Sequence, residues 1–95
     1  MSMGFIWNIE KSQECLDKRG FDFDYASKVF FDPNRYEWED KRSNYGEVRY
    51  KTIGMIDGRF FMVVFTLRDS NIRIISAWKA NNREIRKYGY NAIEG

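Results

Sequence analysis

The fold is decided by residues 47–88, EVRYKTIGMIDGRFFMVVFTLRDSNIRIISAWKANNREIRKY. Asp57-Gly58 separates the first two apolar runs of this stretch, and the Asp-Gly pair favours a two-residue type I′ hairpin turn. Residues 68–71, Arg-Asp-Ser-Asn, form a second polar break before a third run. Asn81 and Glu84 then have the spacing of a capping box, which starts a helix. The stretch therefore predicts three antiparallel strands followed by a short helix.

The first turn also fixes how the strands pair. Counting outward from Asp57-Gly58 gives these pairs: Ile56 with Arg59, Ile53 with Met62, Lys51 with Val64, Arg49 with Thr66, and Glu47 with Arg68. A second loop of two or four residues adds three more: Leu67 with Ile72, Thr66 with Arg73, and Val64 with Ile75. A three-residue loop would break this second set.

Because alternate strand residues point to opposite faces of a sheet, these pairs divide the side chains into two groups. One predicted face is apolar and packs under helices: Val48, Tyr50, Thr52, Phe61, Val63, Phe65, Leu67, Ile72, Ile74, Ser76 and Trp78. The other face is apolar at one end, with Ile53, Met55, Phe60 and Met62. Its opposite end carries charge: Glu47, Arg49, Lys51, Arg68 and Arg73. That charged end is the candidate site.

The first 40 residues predict the layer that covers the sheet. Residues 5–9 favour a short strand, and a thin surface helix follows from Ile9 to Arg19, capped by Asn8 and Gly20 and anchored by Ile9, Cys15 and Leu16. A second helix begins after Asp22 and ends at Asp32-Pro33, since the residue before proline is disfavoured in a helix. Alternation from Tyr36 predicts an edge strand. We expect an α+β fold: an antiparallel sheet of about four strands, N-terminal helices on one face and a short C-terminal helix, in a single domain over residues 1–95.

Charge is unevenly distributed. Residues 1–67 carry 10 Lys/Arg and 11 Asp/Glu, net −1, whereas residues 68–95 carry 6 and 3, net +3. A basic patch favours a polyanionic partner such as nucleic acid. The single cysteine excludes an internal disulfide, and the N-terminus does not resemble a signal peptide. The longest apolar run is too short to span a membrane, so we expect a soluble, cytoplasmic protein.

The residue types present limit the chemistry. The absence of histidine excludes histidine-based catalysis and the commoner zinc sites. Cys15 is interpreted as a packed residue, and the carboxylates Glu37, Glu39 and Asp40 as a solvated strand edge. No phosphate loop or dinucleotide fingerprint is present, so no nucleotide cofactor is expected.

What remains is the cationic cluster. Glu47, Arg49, Lys51, Arg68 and Arg73 share one face, and the last helix adds Tyr88 with the cations Lys79, Arg83 and Arg86. Arginine forks bind phosphate in bidentate fashion and stabilise charge in a transition state, and RNA supplies its own nucleophile, the 2′-hydroxyl. Proton transfer would fall to Glu47, Tyr88 or a cation. Two readings stay open: a nucleic-acid site, or a solvated and salt-bridged face.

Three segments resemble the BrnT toxins of bacterial type II toxin-antitoxin systems: FIWNIEKSQECLDKRGFDFDYASKVFFDP (5–33), GEVRYKTIG (46–54) and VVFTLRDSNIRIISAWKANNREIRKY (63–88). The resemblance implies a RelE-like fold with an RNA-binding surface opposite the helices, and metal-free ribonuclease activity that slows translation and growth. It also implies a BrnA-like ribbon-helix-helix antitoxin that binds promoter DNA, and it allows a dimer within that complex.

By position, the family's basic residues fall on Arg49, Arg68, Arg73, Lys79 and Arg83, with Glu47 and Tyr88 beside them. Combined with the cluster found by counting, this predicts a catalytic set of Glu47, Arg49, Arg68, Arg73 and Tyr88. The predicted RNA-binding set is Lys51, Lys79, Arg83 and Arg86. The chain departs from the family at two positions, with Arg19 where histidine usually precedes Gly20 and Trp78 where arginine is common. These departures leave an alternative, a non-catalytic module that binds nucleic acid or docks an acidic partner.

Overall fold

The computed structural model describes residues 4–42 and 46–89. Five strands run in chain order: β1 (Phe5–Trp7), β2 (Tyr36–Asp40), β3 (Arg49–Ile56), β4 (Arg59–Arg68) and β5 (Asn71–Lys79). Helix α1 (Ile9–Arg19) follows β1, and α2 (Phe23–Ala26) continues as a 3₁₀ helix over Ser27–Phe31. After β5, α3 (Asn82–Glu84) continues as a π-helical turn over Ile85–Gly89, and these two segments together are called the C-terminal helix.

Helix α1 has the predicted ends. The Asn8 side chain accepts a hydrogen bond from the Lys11 amide, and Gly20 ends the helix in the left-handed region at φ 85°. The predicted anchors are corrected in part, because Ile9 is 80% exposed while Ser12 and Cys15 are buried. The helix therefore contacts the sheet through small residues.

The second helical segment is also confirmed. Asp22 caps α2 by accepting from the Tyr25 amide at 2.9 Å, and Phe23, Ala26 and Val29 are buried. The chain leaves the helical layer at Asp32, directly before Pro33.

The sheet has the order β1-β5-β4-β3-β2, with β1 parallel to β5 and every other neighbouring pair antiparallel. The prediction of a mixed α+β fold is confirmed. The sheet has five strands rather than about four because the three residues of β1 pair with Ile72, Arg73 and Ile74.

Both hairpin turns have two central residues in the left-handed region. Asp57 and Gly58 have φ values of 49° and 80°, and Asp69 and Ser70 have 50° and 68°. Positive φ at both central positions matches the right-handed twist of the flanking strands. The predicted pairs from Ile56–Arg59 to Lys51–Val64 are confirmed, and so are Leu67–Ile72 and Thr66–Arg73.

The predicted register fails at one position in β5. Val64 pairs with Ser76 rather than with Ile75, and Phe65 pairs with Ile74, so Ile75 is the extra residue of a β-bulge. One inserted residue reverses which side chains face each side of the strand beyond it. The prediction that Ser76 and Trp78 face the N-terminal helices is therefore wrong.

Two apolar clusters follow from this corrected register. The larger lies between the sheet and the N-terminal helices and contains these buried residues: Cys15, Phe21, Phe23, Ala26, Val29, Ile56, Phe61, Val63, Ile74 and Ala77. The smaller lies on the opposite face, where Ile53, Phe60 and Met62 are covered by Trp38, Trp78, Ala80, Ile85 and Tyr88. The smaller cluster fixes the C-terminal helix to the face that carries the candidate site. In the described ranges 4–42 and 46–89, no helix combines the length and apolar character needed to cross a membrane.

Candidate nucleic-acid interface

Three rows of paired residues cross the face of the sheet that lies away from the N-terminal helices. Tyr36, Ile53, Met62 and Trp78 form the apolar row under the C-terminal helix. Trp38, Lys51, Val64 and Ser76 form the middle row. The outer row is charged, with Asp40 paired to Arg49 on one side and Thr66 paired to Arg73 on the other. Polarity therefore rises in steps away from the C-terminal helix.

A groove of about 530 Å³ lies between this face and the C-terminal helix. Its lining includes five cations and three carboxylates around an aromatic floor: Trp38, Glu39, Asp40, Lys41, Arg42, Lys51, Met62, Asn81, Arg83, Glu84, Lys87 and Tyr88. We call it the cationic groove.

Its floor consists of stacked aromatic rings. The rings of Trp38 and Tyr88 lie 4.1 Å apart at 18°, and Tyr36 lies nearly parallel to Tyr88 at 6.3 Å. Tyr36 and Trp38 share a face of β2 because they are two residues apart, and Tyr88 lies across them from the C-terminal helix. The predicted inward position of Tyr88 is confirmed.

The wall formed by the C-terminal helix depends on Glu84. Its Oε1 accepts from the Asn81 amide at 3.0 Å while Asn81 Oδ1 accepts from the Glu84 amide at 2.8 Å, completing the predicted capping box. The Trp78 indole N–H also donates to this carboxylate. Trp78 reaches Glu84 only because the bulge turns it toward the groove.

The cations of the groove differ in how firmly they are held. Lys51 is half-buried in the middle row, with its Nζ 5.9 Å from the centroid of the Trp78 ring. Arg83 and Lys87 are exposed, and the Lys87 ammonium lies 5.3 Å from the Tyr88 ring centroid. Cations beside aromatic faces combine charge with a stacking surface.

Next to the groove, Glu47 draws two arginines together. Arg49 donates to its carboxylate at 3.4 Å, and the Arg68 guanidinium lies 4.0 Å from it. Arg73 shares the face through its pairing with Thr66 and forms no side-chain hydrogen bond or ion pair with the residues the structure describes. Glu47, Arg49, Arg68 and Arg73 are together called the arginine end.

Asp40 belongs to the site, although its place in an acidic strand predicted a solvated edge. Its side chain is only 13% exposed and lines the groove. A hydrogen bond from Arg42 holds the pKa of Asp40 below its ordinary value, with smaller electrostatic effects from Arg42 and Lys51. The alternation Tyr36, Trp38, Asp40 is the sequence signal that places this carboxylate on the groove side.

Two predicted RNA-binding residues lie outside the groove. Lys79 pairs with Phe61 beyond the bulge and lines a different depression, on the helical side of the sheet. Arg86 is exposed on the C-terminal helix and is absent from the groove lining. Lys51 and Arg83, the other two, line the groove together.

Arg19 and Trp78, the two residues that depart from the family pattern, both contact their surroundings. Arg19 lies in α1 and lines a small depression with Lys18 and Ile75, away from the groove lining. Trp78 supports the C-terminal helix through Glu84. Cys15 is 2% exposed, its thiol lies 3.6 Å from the Ala77 carbonyl oxygen, and burial raises its pKa, so the interpretation as a packed residue is confirmed.

A protein-family profile described as "Ribonuclease toxin, BrnT, of type II toxin-antitoxin system" matches residues 7–84. The chain belongs to the BrnT family. The match runs from β1 to the end of α3 and covers every groove residue except Lys87 and Tyr88. A BrnT-family chain is thereby assigned to the ribonuclease toxins, whose systems pair the toxin with a protein antitoxin. A search of curated proteins finds no match. Among the described residues, no group of three Cys, Asp or Glu side chains could hold a metal ion.

Proposed function

We propose that this BrnT-family chain is a metal-independent endoribonuclease that cuts RNA bound across the cationic groove and the arginine end, and so slows translation and growth. One observation carries the proposal: Lys51 lies between a stacked aromatic floor and a cluster of arginines on one face of the sheet. Family membership supplies the chemical class, and this face has the residue types that the chemistry needs.

Binding uses both parts of this surface. Lysines and arginines neutralise backbone phosphates, and aromatic rings accept unpaired bases by stacking. Tyr36 is 39% exposed at the end of the stacked rings, so a base can reach it. Single-stranded RNA is therefore the expected substrate. Arg83, from the C-terminal helix, contacts the strand in the groove.

Cleavage begins with the 2′-hydroxyl of the substrate. Glu47 accepts its proton, the 2′-oxygen forms a bond to phosphorus, and the bond from phosphorus to the 5′-oxygen breaks. Arg49 and Arg73 stabilise the charge on the phosphate oxygens, because guanidinium forks bind such oxygens in bidentate fashion. Arg68 keeps the Glu47 carboxylate in place.

The departing 5′-oxygen needs a proton, and Lys51 is the proposed donor. It is the half-buried member of the groove cations, whereas Arg83 and Lys87 are exposed. Tyr88 acts through its ring, which packs on Trp38 at 4.1 Å and shapes the floor on which a base would stack. Products are a 2′,3′-cyclic phosphate and a free 5′-hydroxyl.

The wider setting is also part of the proposal. The toxin acts in the cytoplasm, where messenger RNA is available, and its antitoxin is a BrnA-like ribbon-helix-helix protein that binds promoter DNA. Membership of a type II toxin-antitoxin family supports a protein antitoxin as the partner.

Purified protein tests the chemistry directly. Single-stranded RNA is incubated with the protein in excess chelator, and the cut ends are analysed for 2′,3′-cyclic phosphate. We expect cleavage by the wild type and a loss of about 100-fold in rate for Arg49→Ala or Arg73→Ala. Lys11→Ala, an exposed cation on α1, is the matched control and should keep full activity. RNA left intact by the wild type, or cleavage that requires a divalent metal, contradicts the proposal.

Expression in a bacterium tests the consequence for growth. Wild-type toxin should arrest growth and fragment RNA, whereas Arg68→Ala combined with Arg73→Ala should do neither. Growth arrest that survives both substitutions shows that the arginine end is not the active site. RNA binding without cleavage by the wild type favours the non-catalytic module.

A further inference from the structure

An apolar groove lies open on the helical side of the sheet, on the face opposite the cationic groove. It encloses about 320 Å³ between Phe30, Tyr50, Phe65, Leu67 and Ile72, with Arg35 and Glu37 at its rim. Side chains around it are unusually exposed for their type: Leu67 at 52%, Val48 at 50% and Phe31 at 75%. Clustered apolar exposure with a polar rim is typical of a protein-binding surface.

The walls of this groove are preformed. Phe30 packs edge-on against Phe65 at 5.0 Å, and Tyr50 stacks on Phe65 at 5.5 Å. Phe5 contacts both Phe30 and Phe31, at 5.4 and 6.3 Å. Side chains already fixed by their neighbours lose little conformational entropy when a partner binds.

The position of the groove indicates what it accepts. Elsewhere on this side the sheet is covered by α1, α2 and the 3₁₀ helix, but that layer ends at Phe31, where the chain turns toward β2. Beyond Phe31, no helix within residues 4–42 and 46–89 lies above the apolar side chains of Tyr50, Phe65, Leu67 and Ile72. A helix supplied by another molecule would continue the layer and bury that row, as the chain's own helices do.

We infer that the antitoxin inserts an amphipathic helix into this apolar groove. The partner is the one that a type II toxin-antitoxin family requires. The Arg35–Glu37 ion pair at the rim, 2.6 Å apart, is neutral overall and suits a helix with an apolar face and mixed charges beside it. This inference rests on the toxin-antitoxin role in the proposed function, and it is independent of the cleavage chemistry.

An antitoxin helix in this groove would bind a different surface from an acidic antitoxin segment that covers the cations of the RNA-binding face. Tyr50 and Phe65 point to the helical side, while Lys51 and Val64 point to the other. The antitoxin helix is thus held by side chains that take no part in RNA binding, and each surface can be changed separately.

The test measures affinity for the protein encoded beside the toxin gene, by calorimetry with the full-length purified chains. Leu67→Glu places a charge in the groove, and Phe31→Glu places one beside it, next to Phe30; both positions are exposed enough to preserve folding. We expect both to weaken binding by about 100-fold or more. The control is Ile9→Glu, an equally large change at an 80% exposed residue on α1, which should bind as the wild type does. Circular dichroism and thermal unfolding verify that each variant folds.

Three results would overturn the inference. The first is unchanged affinity of both groove variants, and the second is loss of binding in Arg73→Glu, which would place the antitoxin on the cationic side. The third is a wild-type toxin that forms a dimer without the antitoxin, together with a Leu67→Glu variant that is monomeric. That result would assign the groove to a second copy of this chain. Ribonuclease activity is assayed separately, so a failure of cleavage counts against the proposed function and leaves the affinity result intact.

Discussion

The indole nitrogen of Trp78 lies 3.2 Å from both carboxylate oxygens of Glu84. This contact joins β5 to the C-terminal helix, and the same carboxylate closes the capping box with Asn81. The contact exists because the bulge at Ile75 turns Trp78 away from the N-terminal helices. One irregular position in a strand therefore supports the wall of the groove.

Removal of this carboxylate should loosen the C-terminal helix. We expect Glu84→Ala to lower the free energy of unfolding by about 2 kcal/mol, since it removes a cap and leaves the indole N–H without its partner. Trp78→Phe combined with Glu84→Ala should cost less than the sum of the two single changes, because they share one interaction. Urea unfolding measures all three variants. Glu14→Ala, on the exposed side of α1, is the control; a Glu84→Ala variant as stable as this control would show that the contact contributes nothing.

Two adjacent positions test the bulge itself. Ala77 is fully buried under the N-terminal helices, whereas Ser76 is half-buried and paired with Val64. Ala77→Lys should destabilise the protein by about 3 kcal/mol or more by burying a charge, and Ser76→Lys should be tolerated far better. Thermal unfolding distinguishes them. If Ser76→Lys were the more destabilising change, β5 would have the regular register predicted from the second turn, without a bulge.

Gly54 lies at a close approach between β3 and the 3₁₀ helix. A methyl group there would lie 2.6 Å from Cγ2 of Val29 and 3.1 Å from Cβ of Arg35. Gly54→Ala should therefore cost about 2 kcal/mol through overpacking. Gly58→Ala has open space around it and should cost about 1 kcal/mol, entirely from its positive φ of 80°. Equal unfolding midpoints for Gly54→Ala and the wild type would contradict the packing described here.

Asp40 should contribute to the acid sensitivity of the fold. Its pKa is lowered in the folded state, first by the hydrogen bond from Arg42, so its stabilising effect is present above the ordinary value of 3.8 and is lost as the pH falls through the lower, folded value. Asp40→Asn should be less stable than the wild type at about pH 6, and the difference should be smaller at about pH 3. Urea unfolding at both pH values measures the difference. A gap that stays constant with pH would show that ionisation of Asp40 is not involved.

Much of the fold could be predicted because local chemistry specifies it. Asp57-Gly58 fixes one hairpin, Asn8 and Gly20 bound α1, and Asn81 with Glu84 starts the C-terminal helix. Each signal depends on residues close in the chain. The parallel pairing of β1 with β5 depends instead on residues about 67 positions apart, and a three-residue strand has too few side chains to specify its partner.

The site was predicted less completely, and the reason is the bulge. Counting placed Glu47, Arg49, Lys51, Arg68 and Arg73 correctly on one face, since all of them precede Ile75 in the ladder. Beyond Ile75 the alternation reverses, so Lys79 leaves this face and Trp78 joins it. A bulge has no clear sequence signal here because Ile75 and Ser76 suit a regular strand as well.

The position of β5 inside the sheet, between β1 and β4, also determines when the structure can form. β5 pairs with both β1 and β4, and α1 packs against it, yet it is the last strand to be synthesised. β1 and α1 cannot pack against β5 until β5 has been synthesised, so the sheet is completed only after most of the chain has left the ribosome. Such long-range pairing slows folding. A nascent toxin thus has no assembled groove while the ribosome is still translating the part of its messenger RNA that encodes β1 to β4.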